Sequence, residues 1–167
     1  MPHLQLIVPP RALDDALSSD PEYNEAMSSE DWPRLAAAIQ RVLGQTPLAA
    51  TPDSPRDPWG GYFAVDEDTH EVVGSCAFKT PPTAEGTVEI AYFTYPPFEG
   101  RGYATEMARQ LVEMATQAGG VGSIIAHTLP ESSASTRVLE KAGLALVGEV
   151  IDPEDGRVWR WHLRVGG

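Results

Sequence analysis

Apolar and polar positions along the chain change period repeatedly, and each change marks an element. Leu4–Val8 is a short apolar run closed by Pro9-Pro10, which predicts a first strand. Arg11–Ser18 has the spacing of a helical turn or two, and Ser19-Asp20-Pro21 breaks it. Leu35, Ala36, Ile39, Val42 and Leu43 then form a helical stripe behind the cap cluster Ser28-Ser29-Glu30-Asp31, with Pro33 in the first turn and Gly44 as the stop. Thr46–Pro58 holds Pro47, Pro52, Pro55 and Pro58 and few large apolar residues, so it predicts a loop. Gly60–Val65 and Glu71–Phe78 read as a hairpin around Asp66–His70, and Pro81–Gly86 as a further turn.

The second half is more regular. Val88–Tyr95 is rich in β-branched and aromatic residues and predicts a strand that Pro96-Pro97 stops. Ala104, Met107, Ala108, Leu111, Met114, Ala115 and Ala118 recur at helical spacing up to Gly119-Gly120. Ser123–His127 is a buried-type strand. Ser132–Ala142 is a helix ended by Gly143. Leu144–Ile151 and Arg157–Val165 are strands joined by the acidic turn Asp152–Gly156, with Trp159, Trp161 and Leu163 alternating on one face of the last. With no repeat and no linker, the pattern predicts one domain over 1–167. Its class is α/β (α+β), a mixed central sheet of about seven strands flanked by helices.

Composition narrows the chemistry. A net charge of −12 argues against a nonspecific nucleic-acid surface and suits a cationic acceptor such as an amine, although solubility alone accounts for most of it. The one cysteine, Cys76, lies in an apolar stretch and reads as a buried small hydrophobe. No apolar run approaches membrane-spanning length and no secretory signal precedes the first charges, so a reducing cytoplasmic setting is expected. His3, His70 and His162 show no metal-ligand spacing with acidic or cysteine partners, and no metal site is expected.

Between the strand Val88–Tyr95 and the helix that follows lies Glu99-Gly100-Arg101-Gly102-Tyr103-Ala104-Thr105. A glycine-bearing loop that opens a helix aims unpaired backbone N–H groups and a positive helix end at one point, where an anionic oxygen satisfies them. A P-loop reading fails for want of Gly-Lys-Ser/Thr, and a dinucleotide fingerprint fails because Thr105 stands where a third glycine is needed. The segment resembles the pyrophosphate loop Gln/Arg-x-x-Gly-x-Gly/Ala of the GNAT N-acetyltransferases. It matches at Gly102 and Ala104, and Glu99 replaces the first residue. Ser132–Leu144 in turn resembles Asn-x-x-Ser-x-x-x-x-Glu-Lys-x-Gly-Phe of the branch that includes ribosomal-protein-alanine N-acetyltransferases. Ser135, Glu140, Lys141 and Gly143 match there, and Ser132 and Leu144 depart.

The resemblance implies an acetyl-CoA-dependent N-acetyltransferase that moves acetyl from a thioester to the primary amine of a small molecule or a protein N-terminus. It implies a bulged fourth strand splayed from the fifth, with the pantetheine arm beside Phe93, Thr94 and Tyr95. The pyrophosphate would lie on Gly100, Arg101, Gly102, Tyr103, Ala104 and Thr105, with Ser132 and Ser135 at the far wall. A homodimer is one assembly it allows. Of the groups that could take the amine proton, directly or through a water, Glu89 leads because an unpaired carboxylate in a central apolar strand has its pKa pushed up; otherwise it faces solvent past the splay or pairs with an arginine. His127, at the mouth of the gap, is the alternative base or a structural histidine. Ser135 is the acid or thiolate partner, or a first-turn serine behind an N-cap at Ser132 or Ser133. Leu139 stands where many relatives carry a tyrosine. Trp32, Trp59, Tyr62 and Tyr92 are acceptor-pocket walls or core. An acyl-CoA-binding module without turnover is the competing reading.

Overall fold

The hairpin expected around Asp66 forms, with β2 (Gly61–Asp66) antiparallel to β3 (Val72–Phe78). The computed structural model describes residues 3–7, 11–45 and 59–165, and the predicted loop Thr46–Pro58 lies outside them. β1 (Leu4–Ile7) edges β2, and β4 (Thr87–Thr94) pairs with β3. β5 (Ser123–Thr128), β6 (Ala145–Asp152) and β7 (Gly156–Arg164) complete a seven-stranded sheet in the order β1-β2-β3-β4-β5-β7-β6. Only β4 and β5 run parallel, because the helix α4 (Tyr103–Ala118) crosses over between them.

The helices before β2 differ from the sequence reading. Asp20-Pro21 starts a helix: Asp20 accepts the Tyr23 N–H at 2.9 Å and Pro21 takes the first helical position, giving α2 (Pro21–Ser29) after α1 (Arg11–Ser18). Ser28 and Ser29 therefore close α2, and Asp31 alone caps α3 (Trp32–Gln45), which continues through Gly44. Helix α5 (Ala134–Lys141) is capped by Ser133 in a reciprocal box with Thr136, not by Ser132.

Even-numbered residues of β4 point toward α4. Val88 and Ile90 pack with Met107, Leu111, Ile124 and Leu139 in the core, and Trp161 closes its far end with its indole N–H donating to Thr128. The thiol of Cys76 is buried there and pushed up to about 12 by that burial, which leaves it an inert hydrophobe. Helix α3 packs through Trp32 on Phe93 and Tyr95, at 5.2 Å and 6.1 Å between ring centres.

One expected feature is absent from β4 and present elsewhere. The β3–β4 register runs without a shift from Gly74–Thr94 to Phe78–Ile90, so β4 carries no bulge. The irregularity falls on the other side of β3, where Ala64 and Val65 face Gly74 and Val72 and leave Val73 as the extra residue.

Gly74 sits at the tightest point, where α4 and β4 converge on β3. A Cβ added there would lie 2.3 Å from the Phe93 carbonyl oxygen and 3.2 Å from Met107 Cε. Gly74→Ala should therefore destabilise the fold by about 1–3 kcal/mol, measured by urea unfolding, because backbone must shift to admit a methyl.

Candidate active site

The site begins where a ladder ends. β4 and β5 pair only at Thr87–Ser123, Val88–Ile124 and Glu89–Ile125, and β5 pairs with no residue of β4 beyond that. On its other side β4 stays paired with β3: Glu89 accepts from the Lys79 N–H and Tyr95 donates to the Val73 carbonyl. By alternation, the peptide groups of Tyr92 and Thr94 point away from β3, into the gap that β5 has left. The expected splay is present, and it comes from divergence of β5 rather than from a bulge.

A cleft of about 750 Å³ opens along that gap, bounded by Tyr92–Thr94, by the loop and first turn Phe98–Thr105, and by Ala134–Lys141 of α5. Thr94 Oγ1 is buried in its wall with no hydrogen-bond partner among the described residues. An orphaned buried hydroxyl is costly in the free protein and is ready to bond a ligand atom. Gly100 and Gly102 hold φ of +78° and +86°, a conformation that favours glycine. Gly102 is the N-cap of α4 and supplies no side-chain cap. Only Glu106 N–H is bonded back, to Gly102 O, so the amides of Tyr103, Ala104 and Thr105 are the orphan donors of the helix start. Arg137 and Lys141 reach the cleft from α5, and neither has an ion-pair partner among the described residues. These groups suit a ligand with anionic oxygens at one end and an amide-bearing arm at the other, as acetyl-CoA has.

The loop is braced from behind. The Tyr103 hydroxyl donates to Asp66 Oδ2 at 2.5 Å, while Asp66 Oδ1 accepts the N–H groups of Asp68 and Thr69. Asp66 is 5% exposed, and the Tyr103 bond is the main reason its carboxyl is held below the usual carboxylate range. Arg101 folds over the Phe98 ring at 5.8 Å, and Phe98 meets Tyr103 edge to face. Arg101 therefore buttresses the loop and is not among the residues lining the cleft. Ser132 and Tyr95 are also outside that lining. Tyr95 is buried against Trp32 and Phe93, with its hydroxyl bonded to Ser75. Phe93, Thr94, Gly100, Gly102, Tyr103, Ala104, Thr105 and Ser135 do line it.

Glu89 and His127 meet on the other face of the sheet, beside the last paired rung. His127 Nδ1 lies 2.9 Å from Glu89 Oε2, and Lys79 Nζ lies 3.2 Å from the same oxygen. Arg160 Nε donates to His127 Nε2 at 3.1 Å. With Nε2 accepting, the imidazole proton sits on Nδ1 and is donated to Glu89. Glu89 is thus not the unpaired carboxylate expected, and the lone pair of His127 is already engaged. Lys79 and Arg160 were missed in the sequence because only strand register brings them in.

Across the gap, the Tyr92 hydroxyl donates to the Ser135 carbonyl at 3.1 Å, and burial pushes the phenol up to about 12. It remains a protonated donor inside the cleft. Ser135 is exposed and does not cap α5, since Ser133 does.

The acetyltransferase (GNAT) domain family matches residues 6–145. An uncharacterized N-acetyltransferase of Bacillus subtilis, YjdG, is 31% identical over 85 residues, 51% of each chain, so the match spans about half the length of that relative. Among solved structures, the microcin C7 self-immunity acetyltransferase MccE in complex with acetyl-CoA and AMP superposes with a TM-score of 0.64 at 14% identity, covering 97% of this chain and 92% of that one. The ribosomal-protein-S5-alanine acetyltransferase of Vibrio fischeri gives 0.63 at 15% identity, covering 96% and 91%.

Two outcomes test the brace. Tyr103→Phe should weaken CoA binding about tenfold by calorimetry, through loss of loop preorganisation. A carboxyl depressed on folding adds stability above its unfolded pKa and loses it as the pH falls through the folded one. The unfolding free energy of the native protein should therefore fall as the pH drops below the ordinary carboxylate range, and fall less in Tyr103→Phe, measured by urea titrations across the acid range.

Proposed function

The chain belongs to the acetyltransferase (GNAT) family, and from that premise we propose that it is an acetyl-CoA-dependent N-acetyltransferase acting on a primary amine. The observation that carries the reading is the early end of the β4–β5 ladder beside a cleft that holds an unpartnered Thr94 hydroxyl and an uncapped helix start. Acetyl-CoA, when bound, supplies an acetyl thioester that an amine attacks directly.

The chain's own residues divide the work. The amides of Tyr103, Ala104 and Thr105 hold the pyrophosphate, and Gly102 lets backbone approach it. Arg137 and Lys141 offset the Glu99 carboxylate that stands at the same mouth. The Thr94 hydroxyl and the peptide groups of Tyr92 and Thr94 bond the pantetheine arm. Glu89 accepts the proton that the attacking amine must shed, directly or through a water. His127 orients Glu89 and is itself oriented by Arg160, so it is a positioning residue rather than the base. Ser135 is the hydroxyl donor to the departing sulfur, and Tyr92, whose hydroxyl bonds the Ser135 carbonyl, supplies a phenol in the cleft and can donate to that sulfur once this bond gives way. The acyl-CoA-binding module without turnover shares the cleft but gives no role to the Glu89 cluster.

Thiol release from acetyl-CoA, run against a panel of amines and N-terminal peptides, tests the reading. Glu89→Gln should lower kcat at least about a hundredfold, the usual share of a general base, with CoA affinity kept. Turnover that survives this change intact would remove Glu89 from the mechanism. Gly102→Val should weaken CoA binding more than about tenfold and also lower the melting temperature, because a branched side chain resists positive φ and crowds the anion site.

A further inference from the structure

On the face of the sheet that carries Glu89, the strand registers align three cross-strand rows. Glu89 lies opposite Lys79 through the continuing β3–β4 ladder. Next come Ala91, Ala77 and Gly61, and then Phe93, Ser75 and Phe63. The middle row carries nothing larger than a methyl group. It therefore floors a trough, walled on one side by the two phenylalanines and ending on the other at the Glu89 row. The hollow is about 330 Å³ and almost wholly apolar, a size that suits the body of a small ligand. Phe93 is 43% exposed in its wall and is braced from behind by Trp32. Tyr92 and Phe93 line both this trough and the CoA cleft, so one strand segment separates the two where β5 has left.

Resting on the acetyl-transfer reading, we propose that this trough seats the acceptor, and that the acceptor is a monoamine carrying an aryl or branched alkyl group rather than a polyamine. Ala91 and Glu89 are neighbours on this face, about 7 Å apart along the strand. A ring in the trough with its amine two methylenes away reaches the Glu89 carboxylate. A second ammonium on a polyamine would lie among Ala77, Gly61 and Phe63, which offer it no carboxylate, and burying an unpaired charge is costly. Lys79 already pairs with Glu89, and Arg160 with the His127 beside it. Asp152 and Asp155 of the β6–β7 turn act on Lys79 and are not among the residues lining the trough. The net charge of −12 draws amines of any kind, whereas the trough selects among them.

The test uses the full chain with 2-phenylethylamine and spermidine as probes, in thiol-release assays and in calorimetric titrations at saturating CoA. The kcat/KM for 2-phenylethylamine should exceed that for spermidine by about tenfold or more. Gly61→Val fills the trough; a Cβ at Gly61 meets nothing within 4 Å, so the fold should tolerate it. It should raise the KM for 2-phenylethylamine about tenfold and leave the KM for acetyl-CoA unchanged, with Ala77→Val as the second variant. Preference for spermidine, or a Gly61→Val enzyme that handles 2-phenylethylamine normally, would overturn the trough assignment while acetyl transfer stands. If no amine turns over, the titration decides. Saturable 2-phenylethylamine binding that Gly61→Val abolishes upholds the trough although the transfer reading falls, and absence of saturable binding overturns it.

Discussion

Parallel pairing of β4 and β5 stops at Glu89–Ile125, and the rest of the site depends on that interruption. A central strand normally spends its hydrogen bonds on both neighbours. Here β4 keeps β3 in regular register from Glu89 onward and loses β5 at that point, so its outer peptide groups at Tyr92 and Thr94 become available without a bulge. The same divergence opens the cleft on one face and brings that cleft to within one strand of the Glu89 face. Chemistry that joins two molecules from opposite sides of a sheet needs such an opening.

Around the gap, polar groups are held by partners from distant elements. The helix start that offers free amides is braced by Tyr103 on Asp66, which is itself fixed by the β2–β3 turn. Glu89 is fixed by Lys79 and His127, and His127 by Arg160. In each chain the group that would meet a ligand is held by a second group that would not. That arrangement keeps donors and acceptors aimed before a ligand arrives, and the ordering cost is met in folding rather than in binding.

Charge is distributed unevenly for so acidic a chain. Of its 12 basic side chains, Arg137 and Lys141 stand without ion-pair partners among the described residues at the mouth of the cleft. Lys79 and Arg160 sit beside the carboxylate and imidazole on the other face. The overall field favours a cationic acceptor, and the local cations favour an anionic donor. The two preferences are separated by β4.

Much was legible in the sequence because its signals are local. Glycines at Gly100 and Gly102 ahead of a helical stripe specify an uncapped helix start, and apolar periodicity specifies the strands and helices of the second half. The cap of α5 is legible to within two neighbouring serines, and Ser19-Asp20-Pro21 both ends α1, as its sequence predicts, and starts α2, which it does not by itself reveal. What the tertiary structure decided is which distant residues meet. Tyr103 and Asp66 are 37 positions apart, His127 and Arg160 33, and Tyr92 and Ser135 43. No periodicity encodes those pairings, because they follow from strand order and register, which are set by the packing of the whole sheet. The partners of Glu89, the tautomer of His127 and the trough of small residues all belong to that second class.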